Sequence, residues 1–436
     1  MKKSVLGALL FAGVTAVFAQ RTEMERISLS LDDAVAMAQE NNVSIARQKM
    51  TLSAAERAKN HSWNSISPSV SVSGGVSMGD GIGDGKTPSD YEVSLRGTVS
   101  LSFSPNLFTA IKSARLAYEQ GEITYEQACR TVELNVRKAF YGLLYEQENI
   151  TLQRRNLQTA KEQYEQNQAK YNQGRMSELD VLSAEVKYKG LQPTVESAYV
   201  TFLNDLDAFR QMIGMQDTIF VEFQGSLDDV VMPDVISLDN VEINAPTIAS
   251  LQKQIESAKN SLLASRFSAY APSLNASWQH GLIPADGTHI AQSSQLDTSG
   301  TISLSATIPL DGVLPWSTRA DAVNTAKDKI ADLELQLADA EKSLKVSTES
   351  ALRNIRQSQS SIVSKHANVE LAQRTYDMTL LAYNRGTKDL LSLQNASDSL
   401  LSAQVSLKNE QRTLINAVLE LENTIGVPFG TLSQKK

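Results

Sequence analysis

The residues whose types and spacing could bind a phosphate or a metal ion lie in one glycine-rich segment. Residues 79–87 have the sequence Gly-Asp-Gly-Ile-Gly-Asp-Gly-Lys-Thr. A phosphate-binding loop requires a glycine where Asp80 stands and a helix after the loop, and neither is present. Asp80 and Asp84 could hold calcium weakly, but two carboxylates are too few ligands to define a site. The segment therefore predicts a loop between two strands.

The remaining candidates for catalysis or metal binding are scattered. The histidines lie far apart and none has His-Glu-x-x-His spacing: His61, His280, His289 and His366. Cys129 is the only cysteine, which excludes an intrachain disulfide and a cysteine-based zinc cluster. We predict that the protein is not an enzyme and that it uses no cofactor and no metal.

Two short segments with the pattern of a helical hairpin tip stand out instead. One runs from Tyr171 to Leu182 and the other from Tyr383 to Leu391, and each has a glycine three residues after its tyrosine. The two glycines, Gly174 and Gly386, are 212 positions apart, close to half of the 436 residues. The spacing predicts a tandem duplication in which each tip closes a long antiparallel helix pair.

Composition supports long helices and argues against one class of partner. The chain is 42% hydrophobic but only 6% aromatic, which is typical of extended helices rich in small and polar residues. A net charge of −8 argues against binding of nucleic acid, since phosphate binding needs a concentrated basic surface.

The N-terminus has the pattern of a secretory signal peptide. Lys2 and Lys3 precede an apolar run from Val5 to Phe18, and cleavage is predicted after Ala19. A membrane anchor is the alternative, but about fourteen apolar residues are short for a bilayer that needs about twenty. The rest of the sequence contains no comparable apolar run.

Sequence periodicity predicts the rods that carry the tips. A helical pattern extends from Phe108 to Asn172, which at about 1.5 Å per residue makes a rod on the order of 100 Å. Apolar residues recur every seventh position, and such regularity indicates supercoiling. The positions in the first half are Val136, Leu143, Ile150, Leu157, Tyr164 and Tyr171, and those in the second are Ile355, Ile362, Val369, Tyr376 and Tyr383.

Four segments alternate between apolar and polar residues and predict strands. Two lie before the first rod, within 69–78 and 91–103, and two lie within 274–278 and 302–308. Strands of about ten residues can cross a bilayer when tilted. Four strands cannot close a barrel, and an open edge cannot face lipid because its backbone groups would be unsatisfied. Several chains must share the barrel, with two chains giving eight strands and three giving twelve.

The order helix, strand, strand, long helix, return helix therefore occurs twice. We predict a signal peptide at 1–19, a first repeat at 20–214, an inter-repeat linker or equatorial segment at 215–241, a second repeat at 242–426 and a C-terminal tail at 427–436. The predicted fold class is mainly α with a transmembrane β part and an internal two-fold repeat.

These marks together resemble the outer-membrane efflux protein (TolC-like) family over essentially the whole mature chain. The matching residues are the opening 31–38 with Asn41-Asn42, the Tyr-x-x-Gly tips, and the Ile-Gly ends at Gly214 and Gly426. The resemblance implies a homotrimer whose twelve strands form a barrel in outer-membrane lipid. It also implies that twelve long helices form an α-barrel tunnel across the periplasm. Expected partners are a periplasmic adaptor and an inner-membrane pump.

The resemblance also implies where partners and the gate would act. In the family the adaptor docks at the tips, where a Gly-Arg-Leu-Ser-like segment is characteristic. The corresponding residues are Gly174, Arg175, Met176 and Ser177 at the first tip, and Gly386, Thr387 and Lys388, a weaker match, at the second. The closing contacts of the tip are assigned to Asp180, Tyr383, Lys388 and Asp389. Ser392 and Asn395 stand where the family often has acidic residues, so Asp389 is the candidate replacement.

Two functions remain open at this point. The first is an outer-membrane channel of a tripartite efflux or type I secretion system, a passive exit duct driven by a partner pump. The second is a non-conducting periplasmic coiled-coil adaptor whose strands form a soluble sandwich. An apolar face on all four strands favours the duct, since a soluble sandwich does not require a face toward lipid.

Overall fold

A computed structural model describes residues 26–78, 91–215, 220–231, 245–284, 296–432 and 434–435. The predicted signal peptide, the loop 79–87 with Asp80 and Asp84, His289 and most of the predicted linker lie outside these residues.

Helices make up most of the described chain. The bounds are α1 Leu31–Asn41, α2 Val43–Asn60, α3 Asn106–Asn172, α4 Glu178–Ile213, α5 Pro246–Tyr270, α6 Thr318–Asn384 and α7 Leu390–Ile425. The rods α3 and α6 both have 67 residues, and the return helices α4 and α7 both have 36. The prediction of two long helical hairpins is confirmed, and the two hairpins have equal helix lengths.

The strands are shorter and fall into three sheets. Their bounds are β1 Arg26–Leu29, β2 Ser69–Met78, β3 Tyr91–Phe103, β4 Phe220–Phe223, β5 Val230–Val231, β6 Ser273–Pro284, β7 Leu296–Thr307 and β8 Gln434–Lys435. Two of the sheets are two-stranded, with β1 parallel to β4 and β5 antiparallel to β8. The third is the antiparallel sheet β2-β3-β6-β7, so the four predicted long strands lie side by side.

The chain divides into two compact units, and one of them contains the four-stranded sheet. This unit comprises Arg47–Gln127 and Ala245–Leu344. The strand registers place apolar residues opposite one another on one face. Val70 pairs with Val99, Val99 with Trp278, and Trp278 with Ile302. Next to the sheet, the buried amide of Asn260 donates from Nδ2 to the carbonyl oxygen of Thr109 at 2.9 Å and fixes α5 against α3.

The other unit comprises Met1–Ala46, Ala128–Asn244 and Lys345–Lys436 and contains both hairpin tips. Its core includes an aromatic cluster where Phe140 lies 5.4 Å from Phe223 and 6.4 Å from Phe209, measured between ring centroids. A second cluster joins α6 and α7 through Ile355, Leu414, Val418, Leu421 and Ile425. Burial of these side chains supplies the main driving force for packing the helix ends.

Both return helices end in a glycine, but different segments cover the two ends. Gly214 has a φ of 70°, and a Cβ there would lie 2.5 Å from the Cβ of Asn41. Asn42 donates from Nδ2 to the carbonyl oxygen of Met212 at 2.8 Å. The N-terminal helices thus cap α4, which brings together two of the sequence marks that carried the family resemblance.

The end of α7 is held by charged side chains. Arg130 donates to the carbonyl oxygen of Glu422 at 3.1 Å, which also accepts from the N–H groups of Gly426 and Val427, and to that of Val427, just beyond the helix, at 2.7 Å. The Glu422 carboxylate is fully buried and accepts from the backbone N–H groups of Gly430 at 3.0 Å and Leu432 at 2.7 Å. These contacts fold the C-terminal segment back onto α7.

Within the described ranges, no helix combines the length and the apolar character needed to cross a membrane. The same ranges contain no group of three or more His, Cys, Asp or Glu side chains arranged to hold a metal ion.

Candidate functional site

The first tip is a tight turn closed by its own backbone. Gly174 has a φ of 71°, in the left-handed region that a glycine adopts without strain. Its N–H donates to the carbonyl oxygen of Tyr171 at 2.7 Å, and the N–H of Arg175 donates to that of Lys170 at 2.9 Å. These bonds terminate α3 in the manner of a glycine C-cap.

The second tip repeats this geometry. Gly386 has a φ of 74°, its N–H donates to the carbonyl oxygen of Tyr383 at 2.9 Å, and the N–H of Thr387 donates to that of Ala382 at 2.9 Å. The Thr387 hydroxyl adds a bond to the same Ala382 oxygen. The chain turns identically at both tips, so the turn itself does not distinguish them.

The return helices begin with the same pair of residue types in opposite order. Ser177 caps α4, where its Oγ accepts from the N–H of Asp180 at 3.2 Å and donates to the Asp180 carboxylate at 2.6 Å. Asp389 caps α7, where its carboxylate accepts from the N–H of Ser392 at 3.0 Å. The Ser392 bonds and the nearby Lys388 charge lower the pKa of Asp389. Each helix start satisfies its free N–H groups locally.

One hydrogen bond joins the two hairpins close to the tips. The Tyr383 hydroxyl on α6 donates to Oδ1 of Asn167 on α3 at 2.7 Å. Asn167 is fully buried, and its Nδ2 has no hydrogen-bond partner among the described residues. The Lys170 ammonium lies 5.3 Å from the centre of the Tyr383 ring. The contact therefore combines a neutral hydrogen bond with a cation placed over the ring face.

Electrostatics keep this tyrosine in its donating form. Burial raises the pKa of Tyr383, the hydrogen bond to Asn167 opposes that shift, and the negative charge of Asp180 adds to it. Because the pKa rises from an already high value, the hydroxyl remains protonated and able to donate at neutral pH.

Two further contacts join the hairpins farther from the tips. Lys187 on α4 contacts both carboxylate oxygens of Asp398 on α7 at 2.5 and 2.6 Å. Ser397 donates to Oδ1 of the nearly buried Asn156 at 3.0 Å. These contacts add one ion pair and one neutral hydrogen bond to the interface between the hairpins.

The arrangement of two capped hairpins, four strands and glycine-ended return helices can be compared with known proteins. The family model for outer membrane efflux proteins matches residues 34–214 and 238–427. The chain belongs to the outer membrane efflux protein family.

Individual relatives of this outer membrane efflux protein are distant in sequence. Outer membrane protein TolC of Escherichia coli is 22% identical over 358 residues, which cover 76% of this chain and 69% of TolC. Outer membrane efflux protein BepC of Brucella suis is 21% identical over 360 residues, which cover 78% of this chain and 74% of BepC. The crystal structure of the Campylobacter jejuni CmeC outer membrane channel superposes with a TM-score of 0.72 at 18% identity, over 93% of this chain and 87% of CmeC.

Family membership places this efflux protein in the outer membrane, in a family that includes outer-membrane channels. The predicted family, fold class and location are confirmed. The alternative function, in which this chain would itself be a non-conducting periplasmic adaptor, does not fit membership of this family.

The structure places the predicted gate residues near one another but in different roles. Tyr383 reaches the other hairpin. The Asp180 and Asp389 side chains make local cap bonds in their own helices, and Lys388 is exposed beside Asp389. Of the predicted docking residues, Gly174, Arg175, Ser177, Gly386, Thr387 and Lys388 are exposed, and Met176 is half-buried.

Sequence reasoning missed Asn167, the acceptor for Tyr383. The sequence does contain a signal for it, because Asn156, Ala160 and Asn167 follow helical spacing and so lie on one face of α3. The structure buries all three residues, and a buried asparagine requires a hydrogen-bond partner, here on a neighbouring helix.

Proposed function

We propose that this outer membrane efflux protein is the exit duct of a tripartite efflux or type I secretion system. Three copies would assemble around one pore, and small molecules or polypeptides would pass through it passively. Energy would come from an inner-membrane pump, held to the duct by a periplasmic adaptor. Membership of a family of outer-membrane channels supports the proposal.

The four-stranded sheet supports the assembly of several copies. β2 and β7 are its outer strands, and in the described chain their outer edges pair with no other strand. Unpaired backbone groups are costly in lipid, so these edges require partners. Three chains would provide twelve strands, with β7 of one copy beside β2 of the next and the apolar face turned toward lipid.

The proposal of a gate at the tips is based on the contact between Tyr383 and Asn167. Each hairpin is closed by its own caps, so this bond can break without unfolding either hairpin. A neutral hydrogen bond contributes about 0.5–1.5 kcal/mol, and the unpaired Nδ2 of Asn167 reduces the net gain. An adaptor that binds the open form more tightly could supply that free energy.

The exposed tips are the proposed docking surface. The first tip presents Arg175 and the second presents Arg385 and Lys388. Both glycine turns leave the backbone accessible, since a Cβ added to Gly174 or Gly386 would meet no atom within 4 Å. We infer that an adaptor with acidic or polar side chains at its own hairpin tip would fit this surface, which also includes Met176, Ser177 and Thr387.

Assembly is tested by the mass of the detergent-extracted protein from outer membranes. The proposal expects a trimer that forms ion-conducting pores in planar bilayers. Recovery as a monomer in the soluble periplasmic fraction would contradict it.

Docking is tested by a photo-crosslinking amino acid at Met176 in living cells. A crosslink to a periplasmic adaptor encoded with a pump is expected there. A matched probe at the exposed Ser360 on α6 should give no such product. Equal crosslinking at both positions would argue against a docking role for the tip.

A further inference from the structure

The second repeat contains a connection that the first repeat lacks. Residues 308–317, here called the crossover segment, join β7 to α6, whereas only Ser104 and Pro105 separate β3 from α3. A two-residue connection is sufficient to pass from strand to helix. The additional residues of the crossover segment therefore require a separate explanation.

Large apolar side chains dominate the crossover segment and are exposed. They are Ile308, Leu310, Val313, Leu314 and Trp316. Trp316 is 81% exposed and Leu310 is 75% exposed. The one acidic residue, Asp311, contacts Arg319 at 3.1 Å in an ion pair. A contiguous apolar patch of this kind indicates an interaction surface.

The crossover segment holds this patch in a fixed conformation. Gly312 is buried against the end of α5, where an added Cβ would collide with the carbonyl oxygen of Ala269. The N–H of Leu314 donates to the carbonyl oxygen of Asp311 at 3.0 Å, and that of Ser317 donates to Leu314 at 3.0 Å. The apolar side chains are thus displayed on an ordered turn seated on α5.

The patch continues the apolar face of the sheet. Ile302 and Leu304 on β7 are exposed on that face, and Ile308 follows at the same two-residue spacing. Each of the other three strand–helix junctions also has an exposed aromatic residue, namely Trp63, Phe108 and Tyr270. Tryptophan and tyrosine concentrate at membrane–water interfaces, where the ring lies among apolar chains and headgroups.

We propose that residues 308–316 insert into the boundary between headgroups and acyl chains on the periplasmic side of the outer membrane. The partner is the phospholipid surface, and the segment holds the second repeat at that depth. The inference rests on the proposed function in one respect, because it requires the four-stranded sheet to face lipid. The first repeat has the single exposed aromatic residues Trp63 and Phe108 at its described junctions but no equivalent apolar segment there.

Fluorescence quenching by labelled lipids tests this placement in the assembled full-length protein. Trp63→Phe combined with Trp278→Phe leaves Trp316 as the only tryptophan. The variant is reconstituted into phosphatidylethanolamine–phosphatidylglycerol vesicles that contain a nitroxide either near the headgroup or deep in the acyl chain. The shallow label is expected to reduce the Trp316 emission by about half, and more than the deep label does.

Two control proteins separate the possible outcomes. A variant that keeps only Trp278 reports on the sheet face, and a tryptophan-free background with Met378→Trp reports on an exposed position of the helical part. Quenching of Trp278 without quenching of Trp316 overturns the anchor alone and leaves the lipid-facing sheet in place. Absence of quenching at both positions contradicts the lipid-facing sheet and the proposed function. Met378→Trp should remain unquenched by either label.

A backbone variant provides an independent test. Gly312→Ala cannot keep the close approach to Ala269, so it should displace the crossover segment and weaken the shallow-label quenching of Trp316. Gly142→Ala is the matched control, because its added Cβ would meet no atom within 4 Å. Unchanged quenching in Gly312→Ala would show that the turn does not position the tryptophan.

Discussion

The two hairpins have the same helix lengths but differ in the contacts that hold them. Tyr171 and Tyr383 occupy equivalent positions, yet only Tyr383 reaches an asparagine of the other hairpin. The equivalent of Asn167 is Thr379, whose hydroxyl donates to the Thr375 carbonyl within its own helix. Duplication has therefore kept the helix lengths and turns, whereas within one chain the tyrosine–asparagine contact between the hairpins is made by the tyrosine of the second repeat.

Charged residues differ in the same way. Glu146 on α3 lies near Asp205 on α4, and the equivalent residues of the second hairpin are Ser358 and Ala417. The second hairpin has an ion pair between Lys365 and Glu410 at 2.8 Å. We infer that like charges weaken the first hairpin at neutral pH and that opposite charges strengthen the second.

The largest expected effect concerns the ends of the return helices. Glu422→Ala should lower the free energy of unfolding by about 2–3 kcal/mol, because it leaves the N–H groups of the buried Leu432 and of Gly430 without their acceptor. Urea unfolding of the detergent-solubilised protein, followed by circular dichroism, measures this. Asp207→Asn at the corresponding end of α4 breaks an ion pair whose carboxylate is 65% exposed, so it should cost less than about 1 kcal/mol. Equal losses of unfolding free energy in the two variants would show that the repeats do not differ at the ends of their return helices.

The carboxyl pair of the first hairpin predicts a pH effect. Burial, then the hydrogen bond and charge of Asp205, raises the pKa of Glu146 to about 7, and Arg412 opposes the shift. Since this value exceeds the unfolded one of 4.5, the native state takes up an additional proton. The resulting stabilisation is present below pH 4.5 and is lost as pH rises through about 7.

Glu146→Gln should remove that pH dependence. At pH 8 the variant is expected to be more stable than the natural protein by about 1–2 kcal/mol, with allowance for solvent screening of the half-buried group. Urea unfolding at pH 5 and pH 8 measures the change. Glu410→Gln, which breaks the ion pair of the second hairpin, should lower stability at pH 8 instead. A loss of stability at pH 8 in Glu146→Gln would contradict the like-charge assignment.

The helix caps at the tips predict a smaller effect, namely that the stability of the first turn depends on pH in α7. Ser177→Ala should cost about 1 kcal/mol, and Asp389→Ala should also destabilise its helix, since both remove an N-cap side chain. The Asp389 pKa is lowered in the folded protein, so its contribution is present above the unfolded value of 3.8 and is lost as pH falls through the lower folded value. Hydrogen exchange of the first turn of α7 at decreasing pH would detect this loss. Identical pH profiles for the natural protein and Asp389→Ala would argue against it.

The sequence predicts the elements of this fold well because they depend on local patterns. The 212-residue spacing places both tips, and the alternation of small polar and apolar residues places all four long strands. The glycine at each helix end is required by a positive φ, which is why Gly214 and Gly426 were informative.

The sequence predicts the contacts between elements less well. The seven-residue ladder is buried at Val136, Leu143 and Ile150, but Tyr171 at its far end is exposed. A straight α-helix drifts by about 20° per heptad relative to such a ladder, so another stripe with Asn156 and Asn167 becomes buried. Which polar residue faces Tyr383 depends on this drift and on the packing of two hairpins, which no local pattern specifies.

The conductance of matched tyrosine variants tests whether the hydroxyl of Tyr383 holds the tips closed. Tyr383→Phe removes the hydroxyl that joins the hairpins, whereas Tyr171→Phe removes the equivalent hydroxyl at the first tip. Tyr383→Phe, reconstituted in planar bilayers, is expected to spend a larger fraction of time open, by about 2–10-fold for a bond of about 0.5–1.5 kcal/mol. Tyr171→Phe should behave as the natural protein does. An equal effect of both substitutions, or an effect of Tyr171→Phe alone, would contradict a one-sided latch at the tips.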